Sequence, residues 1–240
     1  RSRDRGIDLS SYIWVDDMQA MAERGDVDVV LELVGGSDGP ALTLARAALD
    51  AGKGFVTANK AMIAHHGLAL AEQAALRGVP LKFEAAVAGG IPVGKGLREG
   101  AAANRIERIY GILNGTCNYI LSEMERTGAD FGDMLRAAQE KGYAEADPTF
   151  DIEGVDAAHK LAILSAIAFG HHVDFENVHV EGVRHVSPQD ITFAEELGYR
   201  IKLLGIAEET PEGVQQRGGA PRVRLCQLEH VDGLPFLTEL

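Results

Sequence analysis

Only two cysteines, Cys117 and Cys226, occur among the 240 residues. That is too few for a disulfide framework and suits a reducing compartment. Basic residues are also short, with 23 Lys and Arg against 36 Asp and Glu, for a formal net charge of −13. A surface of that sign repels polyanions, so nucleic acid is not an expected partner. Long apolar runs are missing too. Leu161–Phe169 is among the longest and falls far short of the ~20 residues that span a membrane. The chain opens Arg-Ser-Arg-Asp-Arg without an initiator Met, and no apolar segment follows as in a signal peptide. What is present, 46% hydrophobic and 25% charged residues, is an ordinary globular composition with chain enough for one to two domains. The expected protein is acidic, soluble and cytoplasmic, with no membrane as partner.

Hydrophobic patterning supplies the organisation. Asp26–Gly36 is a β-branched and apolar run ending in a glycine pair, and it predicts a parallel strand covered on both faces. Pro40–Ala51 carries Leu42, Ala45, Ala48 and Leu49 at helical spacing, with Gly52 placed to end the helix. Gly54–Asn59 predicts a second strand and Lys60–Arg77 an alanine-rich helix stopped by Gly78 and Pro80. Leu81–Glu84 predicts a third strand. Strand, helix, strand, helix, strand is the rhythm of a doubly wound α/β domain, here begun in mid-fold.

Beyond Glu84 the texture changes. Ala85–Gly96 is rich in glycine, and Ile106–Asn118 mixes a short strand with a glycine turn. Helices are expected over Tyr119–Arg126 and Asp130–Lys141. Gly142–Asp151 reads as a polar loop, because Asp147-Pro148 opposes helix. A long helix is expected over Ile152–Phe169, a strand over Val178–Val186, a helix over Pro188–Leu197 and a strand over Tyr199–Ala207. From Glu208 onward periodicity is lost.

Two constellations are decoys. Gly89-x4-Gly94-Lys95 imitates a phosphate-binding loop, but Gly96 stands where a Ser or Thr would ligate magnesium, and Pro92 sits inside the loop. Tight backbone packing is the better reading. His65-His66 and His171-His172 invite a metal, yet adjacent helix residues point apart, and no metal-ligand spacing supports them. More informative is Gly35-Gly36 directly after a parallel strand, where glycine lets backbone approach a cofactor. Asn59-Lys60 occupies the same place one strand later. Gly142–Lys160 packs Glu145, Asp147, Asp151, Glu153 and Asp156 into a short span that ends in a lysine. Asp156 and Lys160 stand at i,i+4 on one helix face, and Lys160 borders an apolar run. A lysine there, flanked by acids, can hold a charge or pass a proton, which favours an amino-acid-like substrate over a bare metal. Glu84, with the backbone around Val87, Gly89 and Ile91, offers one carboxylate and several carbonyls to a hard cation.

Read in order, VDVVLELVGG, FVTANKAMIAHHG, FEAAVAGGIP, GILNGTCNYIL and GYAEADPTFDIEGVDAAHKLAIL resemble the homoserine dehydrogenases, from Arg1 to about Gln216. The resemblance implies interconversion of L-homoserine and L-aspartate 4-semialdehyde with NAD or NADP, on the route to threonine, methionine and isoleucine. It implies Lys160 as the acid/base lysine and Lys60 as a second active-site lysine near nicotinamide and substrate. Asp156 becomes the acid that contacts homoserine and orients Lys160. Glu145 binds substrate and Asp151 is a further acid of that loop, while Phe150 stands where some members carry another. Gly35, Gly36 and Gly142 fall near the cofactor, and Arg1 and Arg3 near a cofactor phosphate. Glu84, Val87, Gly89 and Ile91 fall on a sodium site. A homodimer is implied.

The expected fold class is α/β: a partial Rossmann-like doubly wound domain over residues 1–83, its first βαβ elements missing, then an α+β catalytic and dimerisation domain over 84–207. Residues 208–240 are expected to form a divergent, poorly ordered tail, with a shifted reading frame after about Arg217 and the return strands of the dimerisation sheet missing or replaced. Three readings follow. They are an active homoserine dehydrogenase, an inactive truncated relic that keeps the substrate domain, and an unrelated acidic metal-binding protein built on the Gly142–Asp156 loop. The shared spacing of Lys60, Glu145, Asp156 and Lys160 disfavours the last.

Overall fold

The computed structural model describes Gly6, residues 8–209 and the backbone of 222–230. Its first sheet is parallel, in the order β1 (Val29–Glu32), β2 (Gly54–Thr57), β3 (Leu81–Lys82). Helix α1 (Met18–Glu23), which the opening residues gave no pattern for, is capped by Asp17. Helix α2 (Pro40–Asp50) begins with proline at its first turn, where a missing N–H costs nothing. Helix α3 (Lys60–Arg77) runs between two local stop signals. The Asn59 side chain accepts the Met62 N–H at its start, and Gly78 takes the left-handed conformation, φ 68°, at its end.

Val30 and Phe55 of this sheet pack against Leu44, Ala45, Met62 and Leu70, forming a core on one face. On β1 the side chains alternate: Val30 and Glu32 are buried, whereas Val29 and Leu31 are 54% and 59% exposed. The expected two-sided burial of this strand is therefore not what its neighbours provide, because α1, α2 and α3 all contribute to the core on the Val30 side.

After β3, a single 3₁₀ turn (Glu84–Ala86) and a short helical segment, α4 (Val93–Lys95), lead into the second half. There β4 (Arg108–Ile112), β5 (Tyr199–Glu208) and β6 (Arg222–His230) form an antiparallel sheet with β5 in the centre. Helices α5 (Gly115–Thr127), α6 (Phe131–Glu140), α7 (Thr149–Ile152), α8 (Val155–Phe169) and α9 (Pro188–Glu196) complete the order. Cys117, Ile120, Leu121, Leu161, Ile191, Leu203 and Ala207 share one core between these helices and β5.

Four expectations are corrected here. Helix α5 starts at Gly115 rather than Tyr119, because Asn114 caps it by accepting the Cys117 N–H. The long helix starts at Val155 rather than Ile152, after Gly154 at φ 81°, and the short α7 falls at the end of the expected Gly142–Asp151 loop. Val178–Val186 is irregular rather than a strand. Its backbone is tied off by turns and by the end of α7, with Val186 N donating to Val183 O and Val183 N to Ile152 O. Lastly, a return strand is present: β6 pairs with β5 over Arg222–His230, inside the stretch expected to have none. The rest of the expected tail, 210–221 and 231–240, lies outside the described residues, as does Arg1.

Between Ile201 and Leu204 the β5–β6 register slips by one residue, leaving an extra residue in β5. The backbone there is satisfied from the side. Asn118 on α5 accepts the Leu203 N–H at 3.0 Å and donates to the Leu203 carbonyl at 3.1 Å. The buried amide thus completes the bulge and anchors α5 on the sheet. Asn118→Ala leaves a buried donor and acceptor unpaired, and should lower unfolding free energy by about 1–3 kcal/mol in urea titration. A change within 0.5 kcal/mol would mean that the bulge does not depend on this side chain.

Candidate active site

Asp156 lies in the first turn of α8, 4% exposed, with positive charge on both sides. Lys60 Nζ is 3.0 Å from Oδ1, while Lys160 Nζ donates to Oδ2 at 2.6 Å. Lys160 also donates to the Leu113 carbonyl at 2.8 Å. Burial alone would raise the Asp156 pKa. The Lys160 charge and hydrogen bond, the Asn114 amide and the Lys60 charge outweigh it and hold the carboxyl below its ordinary 3.8.

Asn114 is the hub that sequence reasoning missed. Its Nδ2 donates to Asp151 Oδ1 at 2.8 Å and to Asp156 Oδ2 at 2.9 Å, while its Oδ1 caps α5. Beside it, burial and then the Asp151 and Asp156 charges push the Cys117 thiol up to about 12, so it is a neutral packing group rather than a nucleophile.

Lys60 is placed by a second chain of bonds. Glu32, 1% exposed at the end of β1, accepts the N–H groups of Val34 and Gly35 at 2.6 and 2.9 Å, and the Thr57 hydroxyl at 2.5 Å. Thr57 Oγ1 accepts the Asn59 N–H, and Asn59 Nδ2 donates to Gly36 O at 2.7 Å. The glycine turn after β1 is thereby fixed to the first turn of α3. A cavity of about 510 Å³ opens here, lined by Gly35, Gly36, Lys60, Phe150, His159 and Phe175 among others.

Of the expected residues, the structure brings together Lys60, Lys160, Asp156 and Asp151 in one cluster, and Gly35, Gly36 and Lys60 around the cavity. Glu145 is not joined to them. It is exposed, and its carbonyl is held by Gln139 at 2.9 Å. Gly142 follows the end of α6 and does not line the cavity.

On the turn after β3, Ala88 and Gly89 are both left-handed, φ 60° and 55°. The Glu84 carboxylate turns back to the Lys95 N–H at 3.0 Å and Arg98 at 2.9 Å. The Lys95 hydrogen bond, with the Arg98 charge, lowers its pKa. The Glu84 carboxylate is thus engaged by this chain's own donors, and the Glu84 and Ile91 carbonyls accept the Val87 and Val93 N–H groups. A Cβ on Gly94 would stand 2.9 Å from Glu84 Oε2, so the phosphate-loop mimic is a glycine seat for an internal carboxylate. His65 and His66, adjacent on α3, point apart: His66 meets Asp38 at 2.8 Å, and His65 faces Phe175 and His159. His171 and His172 follow α8 outside any helix, with His171 Nδ1 2.6 Å from the His172 carbonyl. Among the described residues no group of three or more His, Cys, Asp or Glu is arranged to hold a metal.

The family model for homoserine dehydrogenase matches residues 92–234. A homoserine dehydrogenase from Neisseria gonorrhoeae is 51% identical over 227 residues, covering 93% of this chain and 52% of that protein. One from Pseudomonas aeruginosa is 52% identical, covering 84% and 46%. The chain belongs to the homoserine dehydrogenase family. Among solved structures, a homoserine dehydrogenase from Thiobacillus denitrificans superposes with a TM-score of 0.83 at 51% identity, covering 88% of this chain and 47% of that one. A hyperthermophilic archaeal homoserine dehydrogenase in complex with NADPH, 23% identical, shares the fold at a TM-score of 0.74, covering 92% and 61%. The chain spans about half the length of the curated relatives it matches. The family match runs to residue 234, past the point near Arg217 where the sequence alone stopped resembling the family.

His159 is 2% exposed, and burial, followed by the charges of His65 and Lys60, pushes its pKa down from 6.5 to about 4. Above pH 6.5 the residue is neutral in folded and unfolded chains alike. Below that, the unfolded chain takes up a proton that the folded one refuses, so stability is lost as pH falls from 6.5 towards 4. The loss expected is on the order of 3 kcal/mol. It should appear as a fall in the urea midpoint across that window, and His159→Phe should flatten it. An unchanged profile in the variant would assign the pH dependence elsewhere.

Proposed function

We propose that this chain carries the homoserine-binding and proton-transfer site of an NAD- or NADP-dependent homoserine dehydrogenase, acting between L-homoserine and L-aspartate 4-semialdehyde. The observation that carries the reading is the buried Asp156 carboxylate shared by Lys60 and Lys160 beside a glycine-walled cavity. On this reading the residues up to about 83 form the cofactor-side domain and those from 84 to 207 the substrate and dimerisation domain. A cytoplasmic homodimer in amino-acid biosynthesis fits the family, and a fold neighbour was solved with NADPH.

Lys160 is assigned the acid/base role. An ammonium has three N–H donors. Two are spent on Asp156 and the Leu113 carbonyl, which leaves the third for a substrate oxygen. It protonates the developing alkoxide when the semialdehyde is reduced, and the resulting amine accepts the hydroxyl proton when homoserine is oxidised. Lys60 adds positive charge near the same oxygen. NAD or NADP, when bound, exchanges the hydride with the carbinol carbon. Both Asp156 oxygens are occupied, so its assigned part is to orient the two lysines. The exposed Glu145, with Asp151, is left to meet the substrate ammonium. Gly35 and Gly36 admit the cofactor. The backbone carbonyls of Glu84, Val87, Gly89 and Ile91 suit a sodium ion, being neutral oxygens on one tight turn.

Homoserine-dependent reduction of NAD and NADP tests the assignment. Lys160→Ala should lower kcat by at least about 10²-fold while changing cofactor affinity little. Equal losses in both would sink it. Homoserine binding without turnover by the folded chain is the second reading, made concrete by the half-length match to relatives.

A further inference from the structure

Phe150 serves neither the proton-transfer chemistry nor a core. It shares α7 with Ile152, and of the two only Ile152 packs inside, at 1% exposed. The Phe150 ring is 43% exposed and joins none of the hydrophobic clusters. Burial therefore does not account for a large ring at this position. A charged neighbour does: Lys60 Nζ lies 5.7 Å from the ring centroid. That is inside the roughly 6 Å over which an aromatic face attracts a cation. The short helix that carries the ring is held on several sides. Asp151 Oδ1 accepts the Asn114 amide at 2.8 Å, the Ile152 carbonyl accepts the Val183 N–H at 2.9 Å, and Glu153 pairs with Arg184 at 2.7 Å. Ring and ammonium thus meet at the wall of one cavity, the first from α7 and the second from the start of α3.

We propose that Phe150 is a positioning residue, whose ring face holds the Lys60 ammonium in place with an N–H turned into the cavity. What that N–H does there rests on the dehydrogenase reading, which the proposal deepens. An ammonium has three donors. Lys160 is fixed by two oxygens, those of Asp156 and the Leu113 carbonyl. Among the described residues the Lys60 ammonium has one, Asp156 Oδ1 at 3.0 Å. A single ion pair leaves a compact charge on a flexible four-carbon stem free to swivel. The ring supplies the second restraint. A water in its place would hydrogen-bond the ammonium, and a carboxylate would neutralise it; the ring attracts the charge and does neither. Lys60 keeps 32% of its side chain exposed and lines the cavity, so the remaining donor is open to a ligand. On the dehydrogenase reading it meets the substrate oxygen, whose charge grows in the transition state. The ring then acts on turnover more than on substrate affinity.

Fluorinating the Phe150 ring tests this, since one, two or three fluorines draw electron density from the face and leave its shape nearly unchanged. Lys60 is followed by trace acetylation with acetic anhydride at mildly alkaline pH, each lysine being read from its own peptide by mass spectrometry. The reagent takes the free amine and the ring attracts the ammonium. Lys60 acetylation should therefore rise with each fluorine, reaching about two- to fivefold at three. Lys53 and Lys202, buried at 7% and 9% exposed, should keep their rates and so report an intact fold. Phe150→Leu should speed Lys60 at least as much, and Phe150→Trp, with a stronger face, should restore the slow rate. A Lys60 rate indifferent to fluorine, or one that rises only together with Lys53 and Lys202, overturns the proposal. With homoserine and cofactor, the trifluoro ring should lower kcat by about the same two- to fivefold and leave KM nearly unchanged. Faster acetylation with an unchanged kcat would overturn the ring's part in the reaction. Acetylation needs no turnover, so the two readings fail separately. Turnover lost in Lys160→Ala, with Lys60 blind to fluorine, removes only the role of Phe150. Fluorine-sensitive acetylation in a chain that never oxidises homoserine removes the dehydrogenase reading and upholds the hold of the ring on Lys60.

Discussion

A single buried carboxylate organises this molecule. Asp156 is almost wholly withdrawn from water, and such a charge is tolerated inside a protein only when opposite charge and hydrogen bonds surround it. The groups that do so come from three separate elements: Lys60 opens α3, Asn114 caps α5 and Lys160 lies one turn along α8. Removing any one of them leaves a less compensated charge rather than a missing contact. The carboxylate therefore ties the α3 side of the parallel sheet to the helices of the antiparallel one.

That constraint extends well beyond the cluster. Lys60 stands where it does because Asn59 caps α3, Asn59 is held by Thr57 and Gly36, and Thr57 by Glu32. The same Glu32 receives the N–H groups of the turn that leads to Gly36. One hydrogen-bonded chain thus sets both the glycine wall of the cavity and the root of a lysine that reaches Asp156. On the other side, Asn118 donates to the Asn114 carbonyl at 3.0 Å and pairs with Leu203 in the β5 bulge, so the hub is braced against the central strand. Second-sheet geometry and site geometry are the same network seen from two ends.

Local chemistry is what made part of this legible in the sequence. The bounds of α3 follow from Asn59 and Gly78, and those of α2 from Pro40 and Gly52, each acting within one turn. Lys60 and Lys160 were legible through family motifs, and Lys160 also through its i,i+4 pairing with Asp156. Asn114 was not, because its partners stand 37 and 42 residues away and an asparagine before a glycine reads first as a turn. His159 was hidden for a different reason: an orphaned imidazole leaves no pattern in sequence, only an absence of partners in space. Val178–Val186 misled because four valines, the first two alternating, give it a strand-like composition. Their burial instead comes from packing beside Ile152, and a Cβ on Gly182 would stand 2.6 Å from the Ile152 carbonyl. Strand β6 was missed because the residues before it carry turn formers and charges that obscure where pairing resumes.

Charge balance closes the argument for how such a site can work in an acidic protein. Lys60 and Lys160 are offset by Asp156 and Asp151, so the cluster is near neutral although the chain carries a formal −13. Pairing offsets part of the desolvation cost of these charges, and Lys60 and Lys160 keep 32% and 22% of their side-chain surface exposed, so the cluster presents fixed dipoles without full burial. On the proposed reading, negative charge growing on a substrate oxygen beside Lys160 would meet groups that are already oriented. A protonated His159 would add a second positive charge near Lys60 and upset that balance. Its buried, aromatic setting keeps it neutral, so the side of the cavity that it shares with Phe150 and Phe175 carries no charge.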